Sequence, residues 1–116
     1  MVYVFFADGF EELEALTPVD VLRRAGVAVK TVGVTGATVT GSHEISINCD
    51  ITCDKVNLYD LDGIILPGGM PGTVNLEKDE KVSELIDYAA ENNKIIGAIC
   101  AAPSILGHKG LLQGKN

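Results

Sequence analysis

Four short apolar segments, each of strand length, constrain the fold of this chain more than any other feature. The first, VYVFFA at residues 2–7, is uninterrupted and rich in β-branched and aromatic side chains, which is typical of a strand covered on both faces. The others are residues 27–34, 63–66 and 94–99. Segments with helical spacing separate them, and this alternation predicts an α/β fold with a doubly wound parallel sheet and helices on both faces.

The expected helices cover residues 10–25, 81–92 and 101–108. In the first of them, Leu13 and Val21 belong to the apolar positions that recur at helical spacing, and Pro18 predicts a kink or a restart. Residues 38–52 carry alternating β-branched side chains, which indicates a short hairpin or an excursion outside the main sheet.

Size and charge narrow the classes of function. The chain has 116 residues, 47% of them hydrophobic, which suits one domain with one core. Its 16 acidic and 9 basic residues give a net charge of −7, so we expect neither nucleic acid nor an anionic membrane surface as a partner. No apolar run approaches the roughly 20 residues that span a bilayer, and the N-terminus lacks the basic region of a signal peptide. These features favour a cytoplasmic location.

The cysteine count agrees with that location. Cys49, Cys53 and Cys100 are an odd number without a C-x-x-C pair, which suits a reducing compartment. Cys49 and Cys53 with His43 match no standard zinc spacing, so we expect no metal and interpret these two thiols as small, partly buried side chains.

The last residues, GLLQGKN at 110–116, resemble a turn that leads from a helix into another strand. The sheet expected from the preceding residues has about four parallel strands and an unpaired edge, which would attract a further strand. We therefore expect residues 1–116 to be the N-terminal portion of one longer domain, with a C-terminal segment as its partner.

Several chemically useful residues follow the predicted strands. Open parallel sheets place their ligand sites at the carboxyl ends of the strands. Cys100 follows the fourth strand, and its small neighbours Ala98, Ala101 and Ala102 would permit a sharp turn into a helix whose N-terminus stabilises a thiolate. Cysteine is equally common as a buried core residue, so the local sequence leaves a nucleophile and a core filler equally open.

Acidic residues and glycines follow the first and third strands. Glu11 and Glu12 fit the first turn of a helix through its dipole alone. Glu14 lies near the apolar face, where loss of water favours a protonated carboxyl that could donate to a thiolate or act as a general acid or base. Gly68 and Gly69 form either a tight turn or, with the N–H of Ala101, an oxyanion hole.

Four motifs occur in order along the chain: FADGFEELE at 6–14, PVDVLRRAG at 18–26, ILPGG at 65–69 and AICAAP at 98–103. Together they resemble the ThiJ/PfpI superfamily, in particular its Parkinsonism-associated deglycase branch. The resemblance implies a flavodoxin-like fold related to class I glutamine amidotransferase domains, and a homodimer.

The resemblance also implies roles for individual residues. Cys100 matches the cysteine of the family's nucleophile elbow, and Glu14 matches the glutamate that hydrogen-bonds its sulfur. Gly69 and Ala101 match positions whose N–H groups face the sulfur or an oxyanion. Many relatives add a histidine from a segment beyond the elbow helix, and neither His43 nor His108 is expected to take that part.

The implied function is a cysteine-dependent enzyme without a cofactor, acting on a small reactive carbonyl or a glycated protein as a glutathione-independent glyoxalase or deglycase. A second possibility is an oxidative-stress sensor or chaperone that uses oxidation of the same cysteine. An intracellular peptidase and a thiazole monophosphate biosynthesis protein are less favoured alternatives.

Overall fold

A computed structural model describes residues 1–111. Its strands are β1 Val2–Phe6, β2 Val29–Gly33, β3 Thr38–Thr40, β4 Ser46–Asn48, β5 Ile51–Thr52, β6 Gly63–Leu66 and β7 Ile95–Ala98. Its helices are α1 Glu12–Arg24, α2 Gly72–Lys78, α3 Glu80–Glu91 and α4 Pro103–His108. Single 3-10 turns cover Cys53–Lys55 and Leu58–Asp60.

Five strands form one parallel sheet in the order β5-β2-β1-β6-β7. Strands β3 and β4 pair antiparallel in a separate hairpin. Apart from the two-residue β5 at one edge, the order has the 2-1-3-4 pattern of flavodoxin-like folds. The expected α/β doubly wound architecture is therefore confirmed.

The sheet separates two hydrophobic clusters, because successive residues of β1 point to opposite faces. Tyr3 and Phe5 join the cluster under α2, α3 and α4. Val4 and Phe6 join the cluster under α1 and the β3–β4 hairpin. All four side chains are buried, so β1 is the central strand that the apolar run of residues 2–7 predicts.

Three details differ from the sequence-based expectation. The excursion at residues 38–52 is a hairpin, as expected, but it then returns to the main sheet as β5. Helix α2, which lies between the third strand and α3, does not follow from the sequence pattern because its seven residues are too short for clear periodicity. Helix α1 does not restart at Pro18, one of the two expected outcomes, but continues as one element with Ala15 and Val19 packed against the sheet.

The buried face of α1 also differs from the expected one. Leu13 and Val21, predicted to face the core, are exposed, whereas Glu12 is buried together with Ala15 and Val19. A carboxylate can replace an apolar residue at such a position only where hydrogen bonds compensate for its burial. Those hydrogen bonds are formed with the hairpin loop that packs on the start of α1.

The turn expected at residues 110–116 falls mainly on residues 112–116, which lie outside the described part of the chain. Among the helices of residues 1–111, none has the length and apolar character needed to cross a membrane.

Candidate active site at the carboxyl edge of the sheet

The site lies where the winding of the sheet reverses. The chain leaves β1 towards β2 on one side and later returns to β6 on the other side of β1, so the loops after β1 and β6 diverge and leave a crevice between them. The segment Glu11–Glu14 follows β1, the loop Pro67–Gly69 follows β6, and Cys100 follows the neighbouring strand β7. The structure therefore brings these three segments together, as the sequence predicts.

Cys100 lies between β7 and α4 in a left-handed backbone conformation, with φ of 56°. A residue with a Cβ is uncommon there and costs of order 1–3 kcal/mol, so the surrounding structure must impose the conformation. The hydrogen bond from Ile99 N to Leu66 O holds the end of β7 against β6, and the bond from Ala102 N to Ile99 O closes the turn. As a result the thiol of Cys100 is exposed rather than packed in the core.

Glu14 reaches this turn from the first turn of α1. Gly68 shows how close the two are: a Cβ built on it would lie 2.4 Å from Glu14 Oε1 and 2.9 Å from Cys100 Cβ. Within residues 1–111, Glu14 Oε1 is buried and has no hydrogen-bond partner. Since a buried polar atom normally finds a partner, this oxygen is available to a ligand or to the nearby thiol.

The two backbone groups predicted for an oxyanion hole belong to the same edge. Gly69 has φ of 98°, and a Cβ on it would lie 2.4 Å from Glu11 N, so only glycine fits between the β6 loop and α1. Ala101 follows Cys100 in the turn. Neither the Gly69 N–H nor the Ala101 N–H donates to a protein acceptor in the described part of the chain, which leaves both free for an anionic oxygen.

Glu12 is the residue at this edge that sequence reasoning misses, because Glu11 and Glu12 both look like ordinary first-turn acids. Its Oε2 accepts hydrogen bonds from the backbone N–H of His43 at 2.8 Å and of Ile45 at 3.3 Å, and its Oε1 lies 2.9 Å from His43 Nδ1. Burial alone would raise the pKa of Glu12, but these hydrogen bonds outweigh it and lower that pKa to about 2. The carboxylate in turn raises the pKa of His43.

This arrangement brings together a group of side-chain atoms of the kinds that bind metal ions. Atoms of Glu11, Glu12 and His43 lie within 4.8 Å of one another, whereas Cys49 and Cys53 do not join them. The Glu12 oxygens already accept hydrogen bonds from loop 41–45, and Glu11 Oε2 accepts one from Glu14 N. These atoms therefore serve as structural acceptors in the protein.

The remaining cysteines and His108 lie outside the site. Burial raises the pKa of Cys49 to about 11 and that of Cys53 to about 12, so both thiols are protonated near neutral pH. His108, at the end of α4, pairs through Nδ1 with Glu77 of α2. Among the three cysteines, Cys100 alone is exposed.

The fold and the site together define a class: doubly wound α/β proteins that present a cysteine from a strained turn at the end of a parallel strand, at the edge where loops of neighbouring strands converge. The chain belongs to the DJ-1/PfpI family, whose model matches residues 1–116. This confirms the resemblance that the four sequence motifs indicate.

Similarity to individual relatives supports the family assignment. The chain is 35% identical to protein dj-1beta of Drosophila melanogaster over 97% of its own length and 61% of that protein. It is 33% identical to deglycase TK1284 of Thermococcus kodakarensis over 98% of the chain and 68% of that protein. The solved structure of oxidized DJ-1 from Toxoplasma gondii superposes with a TM-score of 0.93 at 35% identity, covering 97% of the chain and 62% of that structure. The chain thus spans roughly three fifths of the length of such relatives.

Proposed function

We propose that this protein is a cysteine-dependent enzyme acting on reactive carbonyls, as a glutathione-independent glyoxalase or a deglycase. The observation that carries the proposal is the pairing of an exposed Cys100 in a left-handed turn with a buried Glu14 oxygen beside it that has no hydrogen-bond partner within residues 1–111. The Thermococcus relative is named a deglycase, which supports the same class of substrate.

The proposed reaction, with methylglyoxal as substrate, begins with attack of the Cys100 thiolate on the aldehyde carbon. A C–S bond forms, and the carbonyl electron pair moves onto oxygen, where the N–H groups of Gly69 and Ala101 stabilise the charge. Protonation of that oxygen gives a hemithioacetal. Glu14 then removes the proton on the carbon bonded to sulfur and delivers it to the neighbouring carbon. The hydroxyl proton of the hemithioacetal moves to the oxygen of that neighbouring carbon, so that a thioester and a new hydroxyl group form. Water hydrolyses the resulting thioester to lactate and frees the thiol, so no cofactor is consumed.

A glycated protein would enter the same sequence through the hydroxyl-bearing carbon of its methylglyoxal adduct. At this carbon the C–S bond forms as the C–N bond breaks, and the protein amine leaves with one proton, so the same hemithioacetal results. The Cys100 thiol is exposed at the rim of the sheet, where the side chain of another protein can reach it. The proposed binding partner is therefore the substrate itself, either methylglyoxal or the glycated protein.

The test is turnover of methylglyoxal by the full-length protein. We expect many equivalents of lactate per protein, with Cys100→Ser and Glu14→Gln each lowering kcat by about 100-fold or more. Cys49→Ser is the matched control, because its thiol is half-buried and outside the site, and it should keep the wild-type rate. Consumption that stops at one equivalent would overturn the enzyme proposal.

A second function, oxidation sensing, uses the same residues, and it is favoured by the similarity of this chain to DJ-1 from Toxoplasma gondii, whose solved structure is of the oxidized protein. Peroxide would convert the Cys100 thiolate to a sulfenate and then a sulfinate, each step reducing one peroxide to water. Mass spectrometry after titration with peroxide should then show two added oxygen atoms on the Cys100 peptide. No addition at Cys100, or equal addition at Cys49, would exclude the sensor.

We further propose a homodimer in the cytoplasm. The exposed apolar side chains of Leu13 and Val21 on α1 offer surface that a second copy could cover. All three cysteines are free thiols, which fits a reducing compartment. Light scattering of the purified protein tests the homodimer. Fractionation of the cell tests the cytoplasmic location.

A further inference from the structure

Glu12 is a buried carboxylate for which the chemistry proposed above has no use. It is the first residue of α1, its side chain is only 7% exposed, and it shares the buried face of the helix with Ala15 and Val19. Burying an apolar residue at this position would cost less free energy, because a buried carboxylate needs hydrogen bonds that compensate for the loss of water.

Loop 41–45 between β3 and β4 is folded around this carboxylate. Besides the bonds from His43 and Ile45, the loop closes on itself through Gly41 N to Ile45 O at 2.9 Å. Ser42 N donates to Phe10 O at 2.8 Å, immediately before α1. A Cβ on Gly41 would lie 2.4 Å from Glu12 Cδ, so the backbone approaches the carboxylate as closely as glycine allows.

The residue that caps this helical turn, Glu11, contacts the β6 loop through its backbone. Glu11 N donates to Gly68 O at 3.0 Å, and Glu11 Oε2 accepts from Glu14 N at 2.9 Å. The first turn of α1 is therefore held between two loops. Loop 41–45 holds it through Glu12, and the β6 loop next to Cys100 holds it through Glu11. Glu14 projects from this turn towards Gly68 and Cys100.

We propose that Glu12 is a positioning residue, which sets the place of Glu14 beside Cys100 by tying loop 41–45 to the first turn of α1. The role rests on the function proposed for Glu14 and Cys100. The low pKa of Glu12, about 2, supports it, because the carboxylate stays charged and accepts all of these bonds throughout the neutral range.

The test measures coupling between Glu12 and Glu14, with the alkylation rate of Cys100 by iodoacetamide as readout. The rate is followed by peptide mass spectrometry at pH 7 in the full-length protein for wild type, Glu12→Gln, Glu14→Gln and the double variant. We expect Glu14→Gln to change the rate and Glu12→Gln to change it in the same direction, by about threefold or more. The double variant should match Glu14→Gln alone, because Glu12 acts through Glu14.

The proposal would be overturned by a Glu12→Gln rate within about twofold of wild type, or by a Glu12→Gln effect that persists in full in the Glu14→Gln background. A Glu14→Gln rate equal to that of wild type would overturn it as well. Because alkylation needs no substrate, failure of this coupling is distinguishable from failure of the carbonyl chemistry, which the lactate assay reports.

Asp50→Asn is the matched control for a purely structural effect. Asp50 also anchors neighbouring segments with its carboxylate, accepting from Thr31 N at 2.9 Å and Arg23 Nη2 at 2.7 Å, but at the β2–β5 side of the sheet. We expect it to lower the thermal midpoint without changing the Cys100 rate. His43→Gln, whose amide can still donate to Glu12, should retain the wild-type rate, and an equal rate change in Asp50→Asn would overturn the proposal.

Discussion

Cys100 occupies a backbone conformation that residues with a Cβ disfavour, and it does so at the surface, where packing gains nothing in return. The neighbouring hydrogen bonds between β6 and β7 fix the end of the strand, and the chain must then turn sharply to begin α4. The turn lifts the side chain out of the sheet edge. At the scale of the residue, this combination of strain and exposure supports the reactivity that we propose for the thiol.

Replacement of Cys100 by glycine should therefore stabilise the fold. Glycine adopts positive φ without steric penalty, so we expect Cys100→Gly to raise the free energy of unfolding by about 1 kcal/mol. Cys100→Val, with a branched Cβ, should lower it by about 1–2 kcal/mol. Urea denaturation measures both, and a stabilising valine or a destabilising glycine would mean that the turn is not strained.

The Glu12–His43 pair predicts a pH dependence of stability. The pKa of Glu12 is lowered from 4.5 to about 2, so its contribution is complete above pH 4.5 and is lost as the pH falls through about 2. The pKa of His43 is raised from 6.5, so its contribution is complete below pH 6.5 and is lost as the pH rises through the higher folded value.

The difference in thermal midpoint between wild type and Glu12→Gln should therefore be largest between about pH 4.5 and 6.5 and shrink towards pH 2. His43→Gln is the control. Its thermal midpoint should lack the loss of stability that wild type shows as the pH rises above 6.5, and it should keep the loss that wild type shows towards pH 2. Scanning calorimetry across the pH range gives both curves. A midpoint difference that stays constant from pH 6 to pH 2 would show that Glu12 does not titrate as described.

The first turn of α1 is the element on which the site depends. It enters between loop 41–45 and the β6 loop, and glycines at Gly41, Gly68 and Gly69 permit the close approach on both sides. Sequence patterns predict the helix, its acidic first turn and the glycines. They place Leu13 in the core and Glu12 at the surface, since hydrophobic periodicity does not reveal a carboxylate whose burial is compensated by hydrogen bonds from loop N–H groups.

Gly68→Ala tests the packing at this element. Its methyl group would lie 2.4 Å from Glu14 Oε1 and 2.8 Å from the backbone oxygen of Ile99, which cannot move without disturbing β7. We expect a loss of about 1–3 kcal/mol in the free energy of unfolding, with Glu14 displaced from Cys100.

Gly97→Ala is the control for Gly68→Ala, because a Cβ on this β7 glycine would meet its nearest neighbour, Ile65 Cγ1, at an ordinary 3.6 Å. It should be neutral or slightly stabilising in the same denaturation experiment. Equal losses in the two variants would contradict the close contact at Gly68.

At the scale of the molecule, the parallel sheet with its two covered faces follows from the sequence, because buried parallel strands read as continuous apolar runs and their connections allow few topologies. The convergence of Cys100, Glu14 and the β6 glycines follows from the same rule about strand ends. The two-residue β5 and the short α2 depend on tertiary contacts that leave no periodic trace. At Cys100 the small neighbouring residues predict a sharp turn but not its left-handed backbone conformation. The burial of Glu12 likewise depends on tertiary contacts.

The central claim, that the fold activates Cys100, is tested most directly by the initial rate of iodoacetamide alkylation of each cysteine at pH 6, compared with glutathione. The thiolate is the reactive form, so an activated Cys100 should react at least about tenfold faster than glutathione at this pH. Cys49 and Cys53, whose pKa values are raised to about 11 and about 12, should remain unmodified. A Cys100 rate equal to or below that of glutathione would contradict the account.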